Sequence, residues 1–451
     1  MATIHWFRRD LRLSDNPSLL AAIAEAEASS DPRVVPLFIL DPDQFAQLGA
    51  VRGAYLVRSL NELGKSLDRN LLIRHGKPEK VLTEVIAATK ATSVHLAADY
   101  EPAILAQDLK FEKQLSIPFV RTGSPYAVAP TRVTKDDGTP YRVFTPFYKA
   151  WLNHGWRKPA PRPTFTNWWM SLPCEGRPAE PDIGELTLPT AGESAALARW
   201  ETFRSTTLTN YAEDRNRADL VTGTSKMSVP LRFGEIHPRT ILADLTAKDE
   251  VYQKEICWRE FYADVLHHNP HTISENLNKQ YDLMPWETGK VADENFTAWC
   301  YGKTGFPFVD AGMRQLLAEG WMHNRVRMVV ASFLVKDLHI DWRRGADWFM
   351  QWLADGDIAS NQHGWQWTAG SGTDASPFYR VFNPITQGLK FDPNGDYIRR
   401  YIPELSHLPG ELAHEPWKAI DGYQHGYPEA IVDHAVERVR ALADYEKIKK
   451  N

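Results

Sequence analysis

Over the first 125 residues short apolar runs alternate with amphipathic stretches. Ile4 to Phe7, Val34 to Leu40, Leu71 to Arg74, Ser93 to Ala97 and Pro118 to Arg121 read as strands. Short, near-continuous apolar runs bounded by turn residues suit a sheet buried on both faces. Between them the spacing becomes helical: Leu56, Leu60, Leu63 and Leu67 recur at i, i+4, i+7 and i+11, on one face of a helix. Strand and helix in alternation predict a doubly wound parallel sheet, a Rossmann-like α/β domain, with any ligand outside the carboxyl ends of the strands. From about 126 to 195 the pattern lapses into proline-rich sequence, including Pro159-Ala-Pro-Arg-Pro163, which predicts a surface linker. Beyond it helical spacing dominates, as in Phe308 to Leu317 and the nearly apolar Val326 to Leu338. The expected division is an α/β domain over 1–125, an interdomain linker over 126–195 and an all-α domain over 196–451.

A length of 451 residues is ample for two or three domains. A net charge of -5 argues against a protein that coats nucleic acid by bulk electrostatics and leaves room for a local basic groove. Cys174, Cys257 and Cys300 stand far apart without a C-x-x-C pair, which supports neither a zinc ribbon nor a disulfide framework and fits a reducing compartment. Charges interrupt the first ten residues, and no run approaches the ~18 uncharged apolar residues of a membrane span. A soluble cytoplasmic chain, with no membrane partner and monomeric, is the expectation.

Chemistry concentrates in the second half. Nine of the sixteen tryptophans fall between Trp258 and Trp367. Most tryptophans fill cores, so their company matters more than their number. Asp355-Gly-Asp-Ile-Ala-Ser-Asn-Gln-His-Gly-Trp-Gln-Trp367 sets two carboxylates, an amide and two indoles beside the Gly-rich Thr368 to Pro377, a composition suited to gripping a flat aromatic cofactor. No G-x-G-x-x-G follows the first strand, so a dinucleotide fingerprint is absent there. Gly223-Thr-Ser-Lys-Met-Ser228 suits phosphate, although ordinary N-capping by Thr224 or Ser225 explains it equally well. Arg325 and Arg327, on an apolar helix, call for carboxylate partners, and Asp355 and Asp357 are the nearest in sequence. Glu255, Trp258, Arg259 and Tyr262 share one helix face, and Asn324, Arg325 and Met328 another. His323 reads as structural. Arg215, Arg325, Arg380, Lys390, Arg399 and Arg400, with Trp258, Trp367 and Tyr379, combine phosphate-binding cations with base-stacking rings, a combination that a solvated surface can also produce.

Together these segments resemble the photolyase/cryptochrome family across essentially the whole chain. The likeness runs through Trp6-Phe-Arg-Arg-Asp-Leu-Arg-Leu, Trp258-Arg-Glu-Phe, Gly302-Lys-Thr-Gly-Phe-Pro, Trp321-Met-His-Asn-Arg, Phe382-Asn-Pro and His414-Glu-Pro-Trp417, and is strongest to bacterial class I cyclobutane pyrimidine dimer photolyases. It implies an FAD in the helical domain, with Tyr211, Thr224 and Ser225 around its phosphates and Arg327, Asp355 and Asp357 around its ribose and ring. Asn361 matches the amide that faces flavin N5, a group that cannot protonate the ring. Trp365, Trp342 and Trp286 match a three-tryptophan electron wire, with Trp286 at the surface. Glu255, Trp258, Asn324, Met328 and Trp367 match the pocket for a flipped dimer, and Arg215 and Arg325 its flanking phosphates. Asn324 and Met328 stand where (6-4) photolyases carry two histidines. Ala103-Ile104 replace the Asn-Glu pair that contacts folate in some relatives, which disfavours methenyltetrahydrofolate. Arg52, Asp99 and Glu101 resemble instead the site for an 8-hydroxy-5-deazaflavin antenna. The implied activity is light-driven repair of cyclobutane pyrimidine dimers in DNA. The rival readings are a cryptochrome-like photoreceptor, a (6-4) photolyase and a light-independent flavoprotein electron carrier.

Overall fold

The five expected strands form as β1 (Thr3–Phe7), β2 (Val34–Leu40), β3 (Leu72–His75), β4 (Val94–Leu96) and β5 (Phe119–Arg121), all parallel, in the order β3-β2-β1-β4-β5. Structure here is that of a computed structural model, which describes residues 2–169, 171–374 and 379–449. Residues 375–378, the end of the Gly-rich segment singled out in the sequence, lie outside the described residues. Ile4 pairs with both Val35 and Val94, and all three are fully buried, as expected of a strand covered on both faces. The chain builds β2 and β3 on one side of β1, then β4 and β5 on the other. The reversal makes the carboxyl ends of β1 and β4 the topological switch point.

Helices α1 (Pro17–Glu27), α2 (Pro42–Gln47), α3 (Ala50–Ser66), α4 (Pro78–Thr89) and α5 (Pro102–Gln114) intervene between the strands. The leucine stripe lies on α3, where Leu56, Leu60 and Leu63 are buried and Leu67 is the buried residue at its C-cap. The proline-rich stretch departs from the expected irregular linker, because it contains α6 (Phe144–His154). Phe144, Phe147, Tyr148 and Trp151 bury one face of α6 at i, i+3, i+4 and i+7. Pro146 falls in the first turn, where a missing N–H breaks no helical bond. Next come α7 (Glu193–Thr206), α8 (Tyr211–Asp214), α9 (Ser228–Phe233), α10 (Pro238–Asp244) and α11 (Glu250–His268).

The remainder comprises α12 (Lys290–Cys300), α13 (Pro307–Glu319), α14 (Asn324–Lys336), α15 (Trp342–Trp352), α16 (Ile358–Ala369), α17 (Pro384–Phe391), α18 (Asp396–Tyr401) and α19 (His434–Lys449). Among the described residues no strand lies beyond β5, in keeping with an all-α second half. Two compact units result, one of Met1–Gly184, Pro189–Ser205 and Lys226–His268, the other of Glu185–Leu188, Thr206–Ser225 and Asn269–Asn451. In the second unit α14 is the spine: Val326, Val329, Val330, Phe333 and Leu334 are buried with Trp299, Phe306 and Trp365 in one apolar cluster. Each such side chain contributes about 1.5–3 kcal/mol when fully buried.

Candidate functional site

Three capped helix starts organise the second unit. His323 Nδ1 accepts from Arg325 N at 3.2 Å at the head of α14, Asp341 from Arg343 N at 2.9 Å at α15, and Asp357 from Ser360 N at 3.0 Å at α16. Burial and the neighbouring Arg325 and Arg327 hold the His323 pKa down to about 4, so it stays a neutral cap, as the sequence reading expected.

Arg327 donates through Nε to Met322 O at 2.8 Å and through Nη2 to Asp355 Oδ2 at 2.8 Å. The expected carboxylate partner is thus present for this arginine. Arg325 differs: Nε donates to Asn216 Oδ1 at 2.5 Å, Nη1 lies 3.5 Å from Met328 Sδ, and the guanidinium sits 5.5 Å from the Phe391 ring centre. Half-buried at the first turn of α14, it is served by a neutral amide, while Asp357 caps α16 through Oδ1.

Asp355 is buried, and its Oδ1 has no hydrogen-bond partner among the described residues. An orphaned buried carboxylate oxygen calls for a donor. Asp357, Asn361, Gly364 and Thr368 follow one another at i, i+4, i+7 and i+11 along α16. Asn361 Nδ2 donates to Ala346 O at 3.1 Å and to Gln362 Oε1 at 2.8 Å, which leaves its carbonyl oxygen as the group able to accept. A Cβ added at Gly364 would meet nothing within 4 Å. Acceptor oxygens beside open space fit FAD, whose ribose hydroxyls and ring N–H groups are donors.

Tyr211, buried, opens α8, with Arg215 5.7 Å from its ring centre. Thr224 and Ser225 are half-buried. The N-cap of α9 is Met227, whose own side chain makes no capping bond to the helix.

Trp342 is fully buried and donates through its indole N–H to Asn276 Oδ1 at 2.9 Å. The Trp365 ring lies on Gly345, one turn along α15 from Trp342: a Cβ at 345 would stand 2.2 Å from Cη2. Trp286 is half-buried, and the next residue, Glu287, donates its N–H to His339 O at 2.8 Å, just ahead of α15. The three tryptophans thus gather around the start of α15, from buried to half-exposed. Sequence reasoning missed Asn276, Gly345 and Trp299, which stands 6.0 Å from Trp365 edge to face. Only Trp299 carried a sequence signal, its place in the tryptophan-rich region.

In the first unit, half-buried Glu255 and Trp258 lie on α11. Trp258 stacks on Phe144 of α6 with ring centres 3.7 Å apart and planes 5° from parallel, a contact that no short-range pattern signals. Arg259 is occupied by Pro125 O at 2.9 Å and the Tyr126 ring at 4.7 Å. Glu260, wholly buried, accepts from Trp151 Nε1 at 2.7 Å and Val128 N at 3.0 Å, and burial still pushes its pKa up to about 7.

At the switch point Arg9, after β1, reaches Asp99 at 3.3 Å and Glu101 at 3.5 Å, both after β4. Asp99 Oδ1 also accepts from the backbone N–H of Tyr100 at 2.7 Å and of Glu101 at 3.0 Å. Arg52 is buried on α3. Arg9 was not singled out in the sequence, although its place beyond a central strand was the available signal.

Of the six basic residues grouped for nucleic acid, Arg399 and Arg400 are engaged internally, as Arg325 is. Arg399 is held by Asp396 at 2.6 Å and Leu408 O at 3.1 Å, and Arg400 by Asp219 O at 3.0 Å. Arg380 is exposed. Met328 and Trp367 are half-buried and Asn324 exposed. No helix among the described residues is long and apolar enough to cross a membrane.

Comparison with known proteins bears on the whole chain. Residues 252–447 match the family described as the FAD binding domain of DNA photolyase, and residues 3–164 the family described as DNA photolyase. The deoxyribodipyrimidine photo-lyase of Agrobacterium fabrum is 39% identical over 99% of this chain and 98% of its own. A bacterial class III photolyase from Agrobacterium tumefaciens superposes with a TM-score of 0.90 at 38% identity, covering 100% of this chain and 98% of that one. The motif likeness points to class I, whereas that relative is class III. An archaeal photolyase from Sulfolobus tokodaii, solved with two FAD molecules and described as implying a novel light-harvesting cofactor, gives 0.85 at 30% identity, covering 99% and 100%.

Proposed function

The chain belongs to the photolyase/cryptochrome family, and from that premise we propose that it repairs cyclobutane pyrimidine dimers in DNA by light-driven electron transfer. The observation that carries the cofactor half of this reading is the α14–α16 cradle, with the Arg327–Asp355 pair and the accepting oxygen of Asn361. Bound FAD, fully reduced and excited by blue light, supplies the electron that opens the two C–C bonds of the dimer and takes it back. Asp355, Arg327 and Asp357 orient its ribose and ring, Asn361 accepts from the ring N–H without offering an acid, and Tyr211, Thr224 and Ser225 meet the phosphates. Trp286, Trp342 and Trp365 pass electrons inward from the surface.

For the lesion, Trp258 and Trp367 provide aromatic walls, and Glu255 and Asn324 hydrogen-bond the thymine edges, where charge develops as the dimer takes up the electron. Met328 adds an apolar contact, and Arg215 and Arg325 meet flanking phosphates. Asn324 and Met328 in place of two histidines favour cyclobutane over (6-4) lesions. In this reading 1–125 is an antenna domain, 126–195 a linker and 196–451 the catalytic domain of a monomer. The Arg9, Asp99 and Glu101 cluster at the switch point, with Arg52, supports an antenna of the 8-hydroxy-5-deazaflavin type over methenyltetrahydrofolate. A second FAD, as in the archaeal relative, is the alternative that chromophore extraction tests.

The deciding experiment is repair of an oligonucleotide with one thymine dimer by chemically reduced protein, in blue light and in darkness. Restored thymines in the light alone support the proposal. No repair by flavin-loaded, reduced protein overturns it in favour of a photoreceptor or a (6-4) enzyme.

A further inference from the structure

Lys336 is 3% exposed near the C-terminal end of α14. A buried ammonium is costly unless its donors are met. Its Nζ donates to the backbone carbonyl of Arg380 and stands 4.4 Å from the ring centre of Tyr379, a cation–π position. One turn earlier on the same helix face, Ser332 Oγ accepts from Phe382 N at 3.4 Å. Tyr379 is in turn stacked on Tyr445 of α19, ring centres 4.6 Å apart and planes 5° from parallel. Segment 379–382, which has no helix or strand of its own, is therefore pinned to α14 at two backbone positions. The side chain of Arg380 is exposed while its carbonyl turns inward. Burial draws the Lys336 pKa down to about 7, and the amine donates to the Arg380 carbonyl whether charged or neutral.

We propose that Lys336 is a positioning residue for DNA binding: by fixing the carbonyl of Arg380 it sets where the Arg380 guanidinium meets a backbone phosphate. This rests on the photolyase reading and on Arg380 as a phosphate contact. An irregular segment that is already ordered spares the complex about 1–2 kcal/mol of backbone entropy per residue. Lys336 touches neither DNA nor cofactor in this role, so its loss should read out as a missing ionic contact at another residue.

The test is equilibrium binding, in darkness, of FAD-loaded protein to an oligonucleotide carrying one thymine dimer, from ~50 to ~200 mM salt. Arg380→Ala should make the slope of log affinity against log salt shallower by about 0.9 and weaken binding to damaged and undamaged duplex alike. Lys336→Met should reproduce that shallower slope, the Lys336→Met/Arg380→Ala double variant should lose nothing more, and Lys336→Gln, which keeps a donor for the carbonyl, should restore the wild-type slope. If Lys336→Met does not hold flavin, Ser332→Ala takes its place as the second-anchor variant, with a partial loss expected. Wild-type slope and affinity in Lys336→Met or, in its stead, in Ser332→Ala, beside a loss in Arg380→Ala, overturn the positioning role. Unchanged binding in Arg380→Ala removes its premise and overturns it too. Blue-light repair of the same oligonucleotide by wild-type protein keeps failure of the photolyase reading distinct from both.

Discussion

The ring of Trp365 lies against Gly345 so closely that a Cβ there would stand 2.2 Å from Cη2 and 2.7 Å from Cζ2. Alanine in a helix interior ordinarily gains up to about 1 kcal/mol over glycine. Here the indole or α15 must move, so Gly345→Ala should instead lose roughly 1–3 kcal/mol by thermal unfolding and slow flavin photoreduction. A stabilised variant with unchanged photoreduction would show that the ring has room.

Gly364 should behave in the opposite way. With nothing within 4 Å of its Cβ position, Gly364→Ala should raise the stability of flavin-free protein by up to about 1 kcal/mol. It should also release FAD more readily, because the methyl group intrudes on the cradle. Flavin retention on dilution, measured beside the melting temperature of apoprotein, checks both.

Asp355→Asn leaves Arg327 facing a neutral amide in place of its 2.8 Å carboxylate partner. Since the Arg327 side chain is 26% exposed, the expected cost is at the low end for a charged hydrogen bond, about 1–2 kcal/mol. Flavin content per chain should fall more than stability does, because Oδ1 no longer offers a charged acceptor. Full flavin occupancy in this variant would remove Asp355 from the cofactor site.

Trp342→Phe should abolish photoreduction of oxidised flavin, followed by its absorbance, and leave repair by chemically reduced enzyme intact. Loss of both activities, with flavin still bound, would contradict the wire.

Glu260 gives a pH signature. Its carboxyl titrates at about 7 in the fold against 4.5 ordinarily, burial outweighing the hydrogen bonds from Trp151, Val128 and Ala127. Between those values the folded state holds a proton that the unfolded state has released, so stability should fall as pH rises from 4.5 to about 7 and level off above. In Glu260→Gln that slope should be missing; urea unfolding at several pH values measures it.

What the sequence made legible follows from the range of the forces involved. The strands lie within about two residues of expectation, because a parallel sheet buried on both faces needs continuous apolar runs. The Arg327–Asp355 pair was readable because a guanidinium on an apolar helix requires a counter-charge. The Arg325 partner was not, since a half-buried arginine can use any amide the fold brings near, and Asn216 lies 109 residues away. Helix α6 was hidden because its buried face is aromatic and set among prolines. The Trp258–Phe144 stack and the Trp365–Gly345 contact are tertiary events with no periodic trace. The roles of Asn361 and the tryptophans came from motif likeness alone.

The hydrogen bond of Trp342 has a consequence for direction. Asn276 gives its Nδ2 to Asp282 Oδ1 at 2.7 Å, which turns its Oδ1 toward the Trp342 indole N–H at 2.9 Å. The Trp365 N–H has no such acceptor among the described residues. An indole that has surrendered an electron becomes a strong N–H acid, and an oxygen facing that N–H stabilises the cation. Positive charge left behind by an inward-moving electron therefore rests more comfortably on Trp342 than on Trp365. In the proposed wire the pair would act as a rectifier, and turning the amide of Asn276 over would remove that bias.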